Sequence, residues 1–257
     1  MVRNIFLAVF VLVGCTNVNE EQQNGERIVS LSPSITATLV DVGAEEYIVG
    51  RSAFCKSVRE DIPVVGDLYN IDYERLLRLH PTNVFVQKTT AEVDAHLQEL
   101  ATRGNFSLHT WKCDRVFEIA TMHKDLLEIL AIEGETFEVK QPEILLELPV
   151  SLLLMTPGSA SNAGLCFGKQ TYLDDVLTLL GGTNALNSSG WITLTLEDIA
   201  RLQPHAIVVV SDIHFEISKG LKSLNIPVIP FIHEDVLVPS SRIIDVAKAL
   251  QQKLKKP

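Results

Sequence analysis

Positive charge is in short supply in this chain. Its 22 lysines and arginines face 32 aspartates and glutamates, for a formal net charge of −10. Such a balance offers no basic face for phosphates or an anionic membrane surface, and no nucleic-acid partner is expected. None of the four cysteines forms a Cys-x-x-Cys pair, so a structural zinc site lacks its usual spacing. No serine sits in Gly-x-Ser-x-Gly and there is no glycine-rich phosphate loop, so nothing points to a hydrolase elbow or a nucleotide cradle, and no enzymatic activity is expected. The N-terminal apolar run, Ile5 to Val13, is too short to span a bilayer. Apolar residues, in contrast, make up 46% of the 257 positions, enough for sizeable buried cores.

That N-terminal run has the length of a signal-peptide core and ends in Leu12-Val13-Gly14-Cys15. Small residues before a cysteine resemble a bacterial lipobox, which makes 1–14 a lipoprotein signal peptide and Cys15 the lipidated N-terminus; the plainer alternative is a secretion signal with Cys15 incidental. Residues 15–26 are polar and aperiodic, as a flexible tether would be. The mature protein is then expected in the bacterial cell envelope, lipid-anchored on the periplasmic or extracellular face.

One phrase occurs twice. Glu74-Arg-Leu-Leu-Arg-Leu-His-Pro81 runs into Thr-Asn-Val-Phe-Val, and Glu197-Asp-Ile-Ala-Arg-Leu-Gln-Pro204 runs into His-Ala-Ile-Val-Val. Each copy reads as a short helix closed by proline and followed by a buried strand. Around the copies, strands alternate with helices: strand-like runs at Arg27–Leu31, Glu46–Gly50, Asn83–Gln87 and Ser107–Trp111, then Val150–Met155, Ala206–Val210 and Pro227–Phe231. Pro157 to Gly168 reads as a loop, and Ile243 to Lys255 as a closing helix with cations in its last turns. The pattern predicts an α/β fold of two Rossmann-like lobes with central parallel sheets, 27–113 and 150–257, joined by a helical connector, 114–149, whose main helix spans Val116 to Glu133.

Several of these runs are recognisable together. Arg27-Ile-Val-Ser-Leu-Ser-Pro-Ser34, Val49-Gly-Arg-Ser-Ala-Phe-Cys55, Pro63-Val-Val-Gly66, the two Glu-to-Pro phrases and Leu180-Gly-Gly-Thr-Asn184 fall in one order and spacing. Over residues 27–250 they resemble the substrate-binding proteins of ABC importers for cobalamin, haem and iron-siderophores, most closely the cobalamin branch. The resemblance implies a class III periplasmic binding protein of the helical-backbone type, with the ligand in a cleft between the lobes. It implies a corrinoid as transported ligand, no intrinsic cofactor, a monomer, and an ABC permease dimer with its ATPase subunits as partner. Haem or an iron-siderophore is the alternative cargo, and a corrinoid-relaying surface lipoprotein without a permease the alternative role.

In that family a glutamate at the tip of each lobe docks onto arginines of the permease, and the matching positions are Glu74 and Glu197. Two exposed carboxylates related by lobe symmetry can straddle a symmetric permease, although a glutamate also simply favours a helix N-terminus. The cleft should lie at the carboxyl ends of the strands. Its candidate ligand-binding residues are Phe54, Tyr69, Gln87, Phe167, Trp191, Glu234 and Asp235, with the aromatics as walls for a large flat ligand. Leu68 stands where the family has an aromatic, and Leu237-Val238 where the cobalamin protein has a charged pair. Of seven histidines only His214 and His233 fall on expected cleft loops, so no metal site is expected. Cys55, Cys113 and Cys166 leave an odd number once Cys15 is lipidated, and Cys55 could pair with Cys113 if both sit on first-lobe cleft loops.

Overall fold

The computed structural model describes residues 25–88, 92–137, 151–158 and 164–255. Cys15, the expected signal peptide and most of the expected tether lie outside these residues, as do positions 138–149 of the expected connector and Val150, the first residue of the expected second lobe. Among the described residues no helix is long and apolar enough to cross a membrane.

The first lobe opens with β1 (Ile28–Ser30), which is wholly buried. Ser32 then turns the chain into α1 (Pro33–Asp41): its hydroxyl accepts the Ile35 N–H at 3.5 Å, and Pro33 occupies the first turn, where a missing N–H costs nothing. After β2 (Ile48–Arg51) and a long loop, Asp72 caps α2 (Tyr73–Arg78) by accepting the Arg75 N–H at 2.9 Å. Then follow β3 (Asn83–Gln87), α3 (Ala95–Thr102) and β4 (Ser107–Trp111). All pairings are parallel, in the order β2-β1-β3-β4.

From β4 the chain passes into α4 (Val116–Ile129) and then the second lobe. That lobe contains β5 (Ser151–Met155), β6 (Leu165–Phe167), α5 (Tyr172–Leu179), β7 (Thr183–Asn184), β8 (Trp191–Thr193) and α6 (Leu196–Leu202). It ends with β9 (Ala206–Ser211), α7 (Lys219–Lys222), β10 (Val228–Ile232) and α8 (Ile243–Lys255). Strands β7, β5, β9 and β10 pair in parallel, in the same order as the first sheet, so the repeated phrase occupies equivalent places.

The equivalence extends to the backbone. The residue before each helix-ending proline is left-handed, His80 at φ 46° and Gln203 at φ 47°. The residue after it bonds back to the start of its own lobe's first strand: Thr82 N–H donates to the O of Arg27, just before β1, at 2.8 Å, and His205 N–H to Ser151 O, the first residue of β5, at 2.8 Å.

Two expectations need correction. The stretch from Pro157 to Gly168, expected as a loop, contains β6, and the second sheet is mixed rather than a copy of the first, because β6 and β8 pair antiparallel. The physical reason is edge satisfaction: the two-residue β7 covers only Ser151 and Leu152 of β5, and β6 supplies partners for Leu154 and Met155. The Cys55–Cys113 pairing does not form. Cys55, Cys113 and Cys166 are all buried free thiols. Thr36 Oγ1 donates to Cys55 Sγ at 3.0 Å, whereas Cys113 Sγ lies 3.8 Å from Met122 Sδ.

The outer face of each sheet has its own apolar core, under α2 and α3 in the first lobe and under α6 and α7 in the second. The inner faces share one. Phe85 of the first sheet, Ile119, Met122 and Leu126 of α4, and Leu154 and Val208 of the second sheet belong to a single buried cluster. Polar ties reinforce it: Arg115 grips Asp175 of α5 through two bonds of 2.9 and 2.6 Å, and Arg242 reaches Asp41 of α1 at 2.9 Å. A continuous core with such ties holds the lobes in a defined relation.

Candidate functional site

Parallel strands deliver their carboxyl ends to one side of each sheet, and there the two lobes enclose a cavity of about 720 Å³. From the first lobe come Pro33 and Ser34 at the start of α1, Phe54 and Lys56 after β2, and Gln87 at the end of β3. The second lobe contributes Phe167 of β6, Trp191 of β8, Asp212 after β9, and Glu234 and Asp235 after β10. Six of the seven sequence-predicted ligand residues thus meet in one space.

They meet in different conditions. Phe54 is 63% exposed and Trp191 40% exposed, so one aromatic from each lobe presents a bare face. Phe167 is buried, in a T-shaped contact with Tyr172 with ring centroids 6.0 Å apart, so little of it is open to the cavity. Ser32 donates its hydroxyl to Gln87 Oε1 at 3.0 Å and fixes that amide at the cavity wall. Tyr69 is the exception: 74% exposed, it lines a separate adjoining compartment rather than the main cavity. The reason is the turn that carries it. Gly66 has φ +105°, and the Asp67 carboxylate accepts the N–H groups of Tyr69 and Asn70 at 2.8 and 2.9 Å, which swings the ring outward.

The polar frame includes residues that sequence reasoning missed. Lys56 and Asp212 form an ion pair of 3.5 Å between the lobes. Arg242 lines the cavity while bound to Asp41 of the first lobe and, at 3.4 Å, to Asp235 of the second. Tyr172, a buried part of the cavity wall, donates its hydroxyl to Val236 O at 3.0 Å and so anchors the loop that carries Glu234 and Asp235; burial pushes its phenol well above the ordinary tyrosine value. Asp212 was within reach of the sequence. It directly follows a strand in the repeated phrase, at a carboxyl end where open sheets place ligand contacts. Arg242 carried no such signal, because its partner Asp41 is 201 positions away.

Glu74 and Glu197 lie outside the cavity, each in the first turn of its repeated helix, with side chains 82% and 85% exposed. Each pairs with the arginine four residues on, Glu74 with Arg78 and Glu197 with Arg201. Neither His214 nor His233 lines the main cavity; the His233 ring nitrogen Nδ1 accepts the Asp235 N–H at 3.2 Å. Among the described residues no three His, Cys, Asp or Glu side chains converge as metal ligands do.

Comparison with known proteins agrees with this geometry. Residues 28–105 match a family model described as periplasmic binding protein. The chain is 22% identical over 214 residues to an uncharacterized ABC transporter substrate-binding lipoprotein, YvrC, of Bacillus subtilis (strain 168); the match spans 73% of this chain and 64% of that relative. Among solved structures, the periplasmic heme binding protein HutB of Vibrio cholerae superposes with a TM-score of 0.69 at 20% identity, covering 90% of this chain and 99% of the other. The periplasmic vitamin B12 binding protein BtuF of Vibrio cholerae gives a TM-score of 0.63 at 16% identity, with 90% and 96% covered. The architecture of this chain, two α/β lobes with a cleft at their strand ends, is therefore that of the class III periplasmic binding proteins.

Proposed function

We propose that this protein is the solute-binding component of an ABC importer, anchored to the membrane through Cys15, which captures a corrinoid and hands it chemically unchanged to a permease. The observation that carries the ligand assignment is the charge state of the cleft. Two cations, Lys56 and Arg242, line it with three carboxylates, Asp212, Glu234 and Asp235. Both cations are already engaged, Lys56 by Asp212 and Arg242 by Asp41 and Asp235. Haem carries two propionates, which would enter a site where, among the described residues, each lining cation already has a carboxylate partner to compete with. A corrinoid rimmed by neutral amides meets no such competition, and Phe54 and Trp191 offer it one flat apolar face from each lobe.

Among the described residues no His, Cys or Met lines the cavity as an iron ligand, and the Tyr172 hydroxyl is committed to Val236. One observation favours haem instead: Tyr69 keeps an exposed phenol beside the cleft. Calorimetry of the purified protein with cyanocobalamin, cobinamide and haemin separates the readings. Heat with the corrinoids alone is expected; heat with haemin alone, or with neither corrinoid, overturns the assignment.

Delivery rests on Glu74 and Glu197. Their exposed carboxylates occupy equivalent positions on repeated helices, an arrangement suited to a two-fold permease. Replacing both with alanine should abolish uptake and leave corrinoid affinity unchanged. Unimpaired uptake would refute docking and favour a relay lipoprotein. The shared core and the Arg115 and Arg242 ties restrict lobe movement, so capture proceeds with modest closure.

A further inference from the structure

The two cations of the cleft are held in different ways. Lys56 is 82% exposed and meets Asp212 through a contact of 3.5 Å, a loose and solvent-screened pair whose two members both line the cavity. Arg242 is held from behind. Asp41 accepts its Nε and its Nη2, each at 2.9 Å, with the two side chains only 26% and 28% exposed, and Asp41 itself lines no part of the cavity.

Asp41 stands where its own helix does not favour it. It is the last residue of α1, and a carboxylate there faces the negative end of the helix dipole. Groups from the second lobe offset this: besides Arg242, the Ser241 hydroxyl donates to the same carboxylate, and the Ser241 N–H donates to Thr38 Oγ1 at 3.3 Å. The chain from Val236, anchored by Tyr172, to Arg242, stitched to α1, therefore crosses from one lobe to the other along the cavity wall, to which Leu237, Val238 and Pro239 contribute.

We propose that Asp41 is a specificity-determining positioning residue: from outside the cleft it holds and neutralises Arg242, so that the site accepts a neutral body and discriminates against the same body carrying carboxylates. The inference rests on the neutral-ligand reading above and names the residue that enforces it. Arg242 faces two carboxylates, Asp41 and, at 3.4 Å, Asp235, so the three groups together carry one net negative charge. With Asp41 made neutral the sum is zero, and Nε and Nη2 are released for a ligand carboxylate, which the guanidinium fork suits. Asp212 is no equivalent, because it faces the ligand and repels an anion itself.

The probes are haemin and haemin dimethyl ester, one ring with and without its two carboxylates, together with cyanocobalamin, each titrated into the full mature protein by quenching of tryptophan fluorescence. The wild type should bind the ester about tenfold or more tighter than haemin, the size of one charge-assisted hydrogen bond. Asp41→Asn should close that gap by strengthening haemin alone, also by about tenfold, with the ester and cyanocobalamin within about threefold. Asp41→Glu should keep the wild-type preference, and Arg242→Gln added to Asp41→Asn should reopen the gap; matching thermal transitions establish that each variant folds. A merely structural tie would weaken all three probes together. That result, an unchanged haemin-to-ester ratio in Asp41→Asn, no binding of either porphyrin by that variant, or a gain that survives Arg242→Gln overturns the proposal. Failure of the wild type to bind cyanocobalamin overturns the corrinoid reading alone, since the porphyrin pair still reads the selection by charge. A wild type that prefers haemin to its ester overturns both.

Discussion

Replacing Trp191 with alanine offers a quantitative test of the cleft wall. Trp191 starts the short strand β8, and its ring is 40% exposed in the unliganded protein. A tryptophan side chain contributes up to about 250 Å², so about 100 Å² of Trp191 remains for a ligand to cover. At about 25 cal/mol per Å² that burial amounts to about 2.5 kcal/mol, or about 70-fold in Kd, as an upper bound for the loss on truncation. The measurement is calorimetric titration of Trp191→Ala with cyanocobalamin. The chain has only two tryptophans, and Trp111 is tied to Asp125 through a 2.7 Å bond and lines no cavity described above. A Trp111→Phe protein therefore reports Trp191 alone, and saturating ligand should protect its fluorescence from acrylamide. A Kd for Trp191→Ala within twofold of wild type, or unchanged acrylamide access in Trp111→Phe, would refute the placement of ligand against this ring.

Three further outcomes follow from the same structure. Asp175→Ala removes both bonds to Arg115 and the one to the Val116 N–H, leaves Arg115 without its partner, and should cost about 2–3 kcal/mol in urea unfolding; a loss under about 0.5 kcal/mol contradicts the tie. Burial holds His109 and His123 below the ordinary histidine value of 6.5, although nearby carboxylates oppose it. As pH falls through that value the unfolded chain protonates first, so their contribution to stability is full above it and declines as pH drops towards their lowered native values. Urea midpoints from about pH 8 to about pH 5 should fall, and fall less in His123→Asn; an identical decline refutes the account. Burial also raises the thiols, Cys55 upward, Cys113 to about 12 and Cys166 to about 11, so none should react with iodoacetamide at about pH 8 until the protein is unfolded.

The legibility of this chain varies with the range of the interactions involved. Strands β3 and β4 and helix α8 stand in the structure with the bounds read from sequence, because each is a run whose apolar pattern, proline or charge marks its own ends. Strands β6, β7 and β8 were invisible, since two or three residues carry no period and these strands exist to satisfy the edges of their neighbours. In the cleft, Phe54 and Trp191 could be proposed because each stands at an aromatic position of the resembled family, Trp191 six residues before Glu197. Tyr69 was legible as an aromatic loop residue but not in its direction, which a hydrogen-bonded glycine turn decides.

By itself the sequence determined the duplication, the helix ends at Pro81 and Pro204, and the alternation that makes two α/β lobes. These are local properties, written in backbone sterics and in the spacing of apolar residues. Only the tertiary structure decided what charge the cleft offers a ligand. The Lys56–Asp212 and Asp41–Arg242–Asp235 ties join residues from different lobes, and whether a cation is free or already neutralised depends on which group lies within about 4 Å of it, a distance that chain folding sets and residue order does not.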